Sequence, residues 1–328
     1  MNRLILFLLL TQSASAQQHT AQLGDLPLTS GQTLQSCHLG YRIHGKLNEQ
    51  RTNAILFPSW YGGTAKSIEY TNPWLVIDTT RFCLIIIDAL GDGVSSSPSN
   101  SETQHGPDFP QISIKDMVES EHRLAQQLKI EKAFAIIGIS MGGIQTFQWA
   151  VSYPDFTDRL IPIVGSPKPT AYDLMLYHLF KRIVENDSAF NHGRYTKNPN
   201  IVAANMLMDL GITTPTDRLT TNYDDWMKNV ENNNRVDWND QLTQIDAVIG
   251  HDIGKPYGGL DAAAKRIKGK MLIISSLQDH LVNPHPAMEF SKLVHAQLIV
   301  IDNPSGHLAP GFSVPEVQKG IKAFLAAD

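Results

Sequence analysis

Short, unbroken apolar runs separated by amphipathic stretches dominate the middle and the end of this 328-residue chain. Ala54-Ile55-Leu56-Phe57 stops at Pro58, and Phe82-Cys83-Leu84-Ile85-Ile86-Ile87 stops at Asp88. Ala133 to Ile139, Arg159 to Val164, Met271-Leu272-Ile273-Ile274 and Gln297-Leu298-Ile299-Val300-Ile301 continue the series. Runs of this kind fit strands buried on both faces, as in a parallel sheet. Between them lie helical patterns. From Ser113, apolar residues fall at Ile114, Met117, Val118, Leu124, Ala125 and Leu128, and Ser113 with Asp116 makes an approximate capping box. Gly142 to Val151, His285 to Val294 and Val314 to Ala326 also read as helices. Strand and helix in alternation predict βαβ units in a three-layer α/β sandwich with a mostly parallel sheet. Leu23 to Lys46 is less regular and is expected to supply an antiparallel edge hairpin.

Pro167 to Lys268 break this rhythm. Leu174, Leu176, Leu179, Phe180 and Ile183 keep helical spacing, no buried strand stands out, and Asn186-Asp187-Ser188 and Asn232-Asn233-Asn234 punctuate the stretch. Residues 167–268 therefore read as a helical insertion between two core strands, placed where it can cover a site. The core domain is then 17–166 together with 269–328. A helical subdomain with no part in catalysis is the alternative.

The N-terminus differs from the rest. Arg3 is followed by the apolar run Leu4 to Leu10, and Ala14-Ser15-Ala16 has the small-x-small form of a cleavage site. Such a run is too short to span a bilayer but suits a secretory signal over residues 1–16, so a periplasmic or secreted protein is expected. Gln17, not cysteine, follows the cut, which argues against a lipid anchor. No other segment approaches membrane-helix length. Net charge is −5 and lysines and arginines form no run, which argues against a nucleic-acid partner. Cys37 and Cys83 could pair in an exported protein, but a buried free thiol is the simpler expectation for Cys83, at the head of an apolar run. No His/Cys or His/Asp spacing resembles a metal site, and no cofactor is expected. His280 and His285 lie in a polar turn and read as solvated.

The strongest local signal is Gly138-Ile139-Ser140-Met141-Gly142, a G-x-S-x-G between a strand-like run and a helical one. A serine on so tight a turn projects its hydroxyl above the carboxyl edge of the sheet, and the free amide of Met141 can stabilise charge on a reacting carbonyl oxygen. A serine hydroxyl needs a neighbouring base. His307, in Pro304-Ser305-Gly306-His307, lies just beyond the last apolar run, and Asp279 has the matching place beyond the run ending at Ile274. Ser140, Asp279 and His307 thus occur in the chain order expected of a nucleophile, an orienting acid and a base, each at the end of a buried strand. Asp302 and His280 are rivals near the same strand ends, each readable as a solvated loop residue. Pro58-Ser59-Trp60-Tyr61-Gly62-Gly63 follows an early strand, and its Trp60 amide is the candidate second oxyanion donor.

At this point the chain resembles the homoserine O-acetyltransferase family of α/β-hydrolases. The matching stretches include Gly40-Tyr41 with Gly45-Lys46-Leu47-Asn48, Ile87-Asp88-Ala89-Leu90-Gly91, and Phe109-Pro110 leading into Ser113 to Val118. Gly138 to Gly143 runs on into Gln148-Trp149-Ala150-Val151-Ser152-Tyr153-Pro154-Asp155, and Arg235-Val236-Asp237-Trp238-Asn239 is a weaker match. The resemblance implies the α/β-hydrolase fold, an acyl-enzyme on Ser140, and Trp60 and Met141 amides as oxyanion hole. It also implies a homodimer, since family members are often dimeric. Two departures stand out. The family's acetyltransferases have an aspartate after the catalytic histidine, where this chain has Leu308. They also have an insertion arginine that grips the substrate carboxylate, where Asn205 aligns here. A zwitterionic substrate would lose both charged partners. The expected activity is therefore hydrolysis of a small-molecule acyl ester. Acyl transfer from an acyl-CoA to another alcohol is the alternative, and a non-catalytic binding relative is the alternative of a different class.

Overall fold

The computed structural model describes residues 16–232 and 236–327. All of the expected export signal except Ala16, the pair Asn233-Asn234, Arg235 and Asp328 lie outside the described residues. Eight strands run in chain order: β1 (Gln18–Pro27), β2 (Thr33–His44), β3 (Ala54–Pro58), β4 (Cys83–Ile87), β5 (Ala135–Ile139), β6 (Arg159–Ile163), β7 (Lys270–Ser276) and β8 (Gln297–Ile301). They form one sheet in the order β1-β2-β4-β3-β5-β6-β7-β8. The hairpin of β1 and β2 is antiparallel and joins β4 antiparallel, while the remaining neighbours are parallel.

Period-two alternation explains why the apolar runs are unbroken. In β4, Cys83, Ile85 and Ile87 enter the core on one face, and Leu84 and Ile86 enter the core on the other. In β7, Met271 and Ile273 divide from Leu272 and Ile274 in the same way. Both faces are covered, so neither set of side chains can be polar. Helices α1 (Ala65–Glu69), α2 (Ile114–Gln127), α3 (Met141–Ser152), α4 (Ala171–Asn186), α5 (Val202–Ile212), α6 (Tyr223–Glu231), α7 (Trp238–Ile249), α8 (Leu260–Ala264), α9 (His285–Leu293) and α10 (Pro315–Ala326) complete the described chain. Helices α2, α3 and α9 pack on one face, α1 and α10 on the other.

The start of α2 is a full capping box. Ser113 Oγ accepts from the Asp116 amide and Asp116 Oδ2 accepts from the Ser113 amide, while the other carboxylate oxygen accepts from the Thr29 amide. A cap of this kind contributes about 1 kcal/mol, and here it also ties the edge hairpin to the helical layer. Between α2 and α3, Trp149 Nε1 donates to Glu121 Oε2 at 2.5 Å. Glu121 is fully buried, its Oε1 has no partner among the described residues, and desolvation pushes its carboxyl up to about 8. Cys37 and Cys83 are both buried free thiols. Burial pushes them up to about 12 and about 11, respectively, so both stay protonated.

Helices α4 to α8 lie between β6 and β7 in the chain; α4 is hydrogen-bonded to the loop after β7, and α7 to the loops after β3 and β4. The first is longer than the apolar spacing suggested. Thr170 and Asp173 form its capping box, which sets the start at Ala171. No helix among the described residues is long and apolar enough to cross a membrane.

Candidate active site

Strand β5 ends at Ile139 and α3 begins at Met141, so Ser140 alone makes the turn. Its backbone has φ 57° and ψ −121°, a region costing a non-glycine residue about 1–3 kcal/mol. The turn is held by the Ser140 amide donating to the Ile163 carbonyl at 2.8 Å and by Ile144 donating to the Ser140 carbonyl at 2.9 Å. Glycines flank it for a steric reason. A Cβ on Gly138 would lie 2.0 Å from the Gly142 carbonyl oxygen, and one on Gly142 would lie 2.5 Å from the Pro58 oxygen.

The loops after β7 and β8 bring the other two residues to this turn. His307 Nε2 is 2.9 Å from Ser140 Oγ, and His307 Nδ1 is 2.6 Å from Asp279 Oδ2. Asp279 Oδ1 accepts from the amides of Leu281 and Val282 at 2.8 and 2.9 Å. An ionised carboxylate only accepts, so Nδ1 carries the proton and Nε2 is left to accept from the serine hydroxyl. Gly306 takes φ 59° and its carbonyl accepts from Ser276 Oγ at 2.6 Å, which fixes the turn carrying the imidazole. The rivals point elsewhere. Asp302 is exposed and accepts from Gln278 Nε2 at 2.6 Å, and His280 is exposed.

The amide of Met141 is the first of α3 and has no intrahelical acceptor. The amide of Trp60 likewise has no partner among the described residues. The loop carrying Trp60 is braced from several sides. Ser59 O accepts from Gln145 Nε2 at 3.0 Å, and the Gly62 amide donates to Gln244 Oε1 at 2.8 Å. Tyr61 donates its hydroxyl to Gln241 Oε1 at 3.1 Å. The Trp60 indole lies so close over Gly63 that a Cβ there would come within 2.2 Å of Nε1.

Ser140 and His307 face a cavity of about 320 Å³ whose walls include Trp60, Ile163, Met208, Ile212 and Phe312. No Asp, Glu, Lys or Arg lines it among the described residues. Leu308 does line it and is 60% exposed, so the cavity meets solvent there. Asn205 does not: it is buried within the insertion, where its amide donates to the Val230 carbonyl at 3.3 Å. Among the described residues, no group of three His, Cys, Asp or Glu side chains could hold a metal ion. A larger cleft of about 560 Å³, between residues 106–112 and α4 and α7, contains none of Ser140, Asp279 and His307.

Sequence reasoning missed the bracing role of the insertion. Tyr177 donates to the Leu281 carbonyl at 2.8 Å, Asp173 accepts from the Asn283 amide at 2.9 Å, and Thr214 donates to the Pro304 carbonyl. Both loops that carry Asp279 and His307 are thus tied to the insertion, one by α4 and the other by the turn after α5. These contacts join residues about a hundred positions apart, and no local spacing signals them.

A profile of the alpha/beta hydrolase fold family matches residues 55–312. Among curated relatives, an ethyl acetate hydrolase of Pseudomonas veronii is 36% identical over 185 residues, 55% of this chain and 53% of its own. A homoserine O-acetyltransferase of Symbiobacterium thermophilum is 27% identical over 97% of this chain and 96% of its own. Among solved structures, an acetylester hydrolase from Corynebacterium glutamicum superposes with a TM-score of 0.86 at 28% identity, covering 95% of this chain and 96% of that one. The match to the Pseudomonas hydrolase spans about half of that protein's length.

Proposed function

Because this chain belongs to the alpha/beta hydrolase fold family, we propose that it is a carboxylic ester hydrolase working through an acyl-enzyme on Ser140. The observation that carries this reading is the hydrogen-bonded line Ser140–His307–Asp279 opening on an uncharged cavity. In the first half-reaction Ser140 Oγ bonds to the acyl carbon while His307 Nε2 takes the hydroxyl proton. The carbonyl electrons move onto oxygen, which the Trp60 and Met141 amides receive. The bond to the alcohol oxygen then breaks, and Nε2 returns its proton to the leaving alkoxide. Water repeats the sequence: it bonds to the acyl carbon, gives a proton to Nε2, and the proton passes to Ser140 Oγ as the carboxylic acid departs. Asp279 keeps the imidazole in the productive tautomer and balances its transient charge. A positioned base is worth about 10²–10⁴ in rate and an oxyanion donor about 10²–10³.

The relatives named above as an ethyl acetate hydrolase and an acetylester hydrolase support hydrolysis. The similarity to a homoserine O-acetyltransferase favours the second reading, acyl transfer. Against it, Leu308 offers a substrate amine no charge, and Asn205 is turned toward Val230. The two readings separate in one preparation of the protein lacking residues 1–16. It should hydrolyse short uncharged esters and make no O-acetylhomoserine from acetyl-CoA and saturating homoserine by mass spectrometry. Robust formation of that product would replace hydrolysis with transfer. Failure of a fluorophosphonate to label Ser140 would favour the non-catalytic reading.

The same proposal includes export and self-association. The charged and apolar residues before Ala14-Ser15-Ala16 support export to the periplasm or medium, and a mature protein starting at Gln17 by mass spectrometry is the expected result. Protein retained in the cytoplasm with its N-terminus uncut would refute it. Tyr172, Met175 and Leu179, exposed at helical spacing on α4, support a homodimer. Light scattering should give twice the chain mass, and a monomer at high concentration would remove the dimer.

A further inference from the structure

Two spaces, not one, open on Ser140. The chamber of about 320 Å³ has His307 in its wall. A slot of about 30 Å³ lies between α3 and the insertion, walled by Ile144, Tyr177, Ile245 and Val248, and His307 is not part of it. Tyr61, Met208 and Leu281 border both and form the partition.

An ester attacked by Ser140 Oγ must send its two halves apart, and proton transfer decides which goes where. The alkoxide oxygen has to come within hydrogen-bond reach of His307 Nε2, because that nitrogen returns the proton as the C–O bond breaks. The acyl substituent, joined to the same carbon, then points away from the imidazole. Resting on the ester-hydrolase reading, we infer that the alcohol half occupies the chamber and the acyl half the slot. With about a tenth of the chamber's volume, the slot suits only a short acyl substituent, the methyl of an acetyl or the ethyl of a propionyl group. The chamber takes a much larger apolar alcohol.

The slot walls resist widening. Ile144, Tyr177, Ile245 and Val248 are all buried, and Tyr177 is anchored through its hydroxyl to Leu281. A close-packed wall of this kind yields only at a cost. Chain-length selection on the acyl side is thus sharp, and selection on the alcohol side is broad.

The test is a pair of ester series assayed on the protein lacking residues 1–16. One varies the acyl group from acetyl to octanoyl on a single alcohol; the other varies the alcohol from ethyl to hexyl on acetate. The expected kcat/KM falls about tenfold or more per added two carbons beyond propionyl, and varies little along the alcohol series. Val248→Ala, with Ile245→Val as the milder companion, raises butyrate relative to acetate about tenfold and leaves the alcohol ranking as it was. Leu308→Phe changes the alcohol ranking and not the acyl one. A flat acyl profile, or one rising toward octanoate, overturns the assignment while ester hydrolysis stands. So does a Val248→Ala enzyme that alters only the alcohol ranking. If no ester of either series turns over and a fluorophosphonate leaves Ser140 unlabelled, the underlying hydrolase reading falls and this assignment falls with it.

Discussion

The hydroxyl of Tyr177 reaches from α4 to the carbonyl of Leu281 at 2.8 Å, two residues beyond Asp279. One turn earlier on the same helix, Asp173 accepts from the Asn283 amide. The segment from Leu281 to Asn283 is therefore hung from the insertion, and the Leu281 and Val282 amides in it are the ones that hold Asp279 Oδ1. Tyr177→Phe would leave a buried carbonyl without its donor, costing about 1–3 kcal/mol of stability. Because this segment positions the acid, kcat is expected to fall about tenfold, and more than KM changes. Denaturant unfolding and steady-state kinetics check both halves. An unchanged kcat would mean that the Asp279 loop holds its own shape.

Ser140→Ala removes the proposed nucleophile but little of the core. Turnover is expected to fall about a million-fold, with the far-ultraviolet spectrum and melting transition close to wild type. Purified mutant keeping a tenth of wild-type turnover would sink the assignment of Ser140.

Asp279→Asn should cost about ten-thousand-fold in turnover, since an amide in place of the carboxylate permits the wrong imidazole tautomer. Asp302→Asn, whose carboxylate is exposed and engaged with Gln278, should do little. If the two mutants exchange behaviour, Asp302 is the orienting acid and the loop geometry must differ in the working enzyme.

Glu121 makes stability depend on pH. Its carboxyl is raised from the ordinary 4.5 to about 8 in the folded state, so the native chain keeps a proton that the unfolded chain releases. The stabilisation is complete below about 4.5 and is lost as pH rises toward about 8, by at most about 1.4 kcal/mol per pH unit. Glu121→Gln keeps an acceptor for the Trp149 indole and has no proton to lose. Unfolding curves at pH 5, 7 and 9 should therefore show the variant gaining on wild type toward alkaline pH. A constant difference across that range would mean the carboxyl is not buried as described.

The sequence alone determined the sheet and its two covered faces, because burial on both sides demands unbroken apolar runs, as in Cys83–Ile87 and Lys270–Ser276. It also determined that Ser140 sits on a strand-to-helix turn, since Gly138-Ile139-Ser140-Met141-Gly142 stands between a strand-like run and a helical one. These are local demands, written in neighbouring residues. Tertiary structure alone decided which groups meet. Asp279 faces His307 because the Leu281 and Val282 amides and the Tyr177 bond shape its loop, whereas Asp302 turns out to Gln278. Asn205, aligned by sequence with a substrate-gripping arginine, is turned into the insertion toward Val230. The division of space around Ser140 into a chamber and a slot depends on Tyr61, Met208 and Leu281 converging from three distant parts of the chain. Periodicity reports which face of an element is buried, but not what lies opposite it, and the cavity is made by what lies opposite.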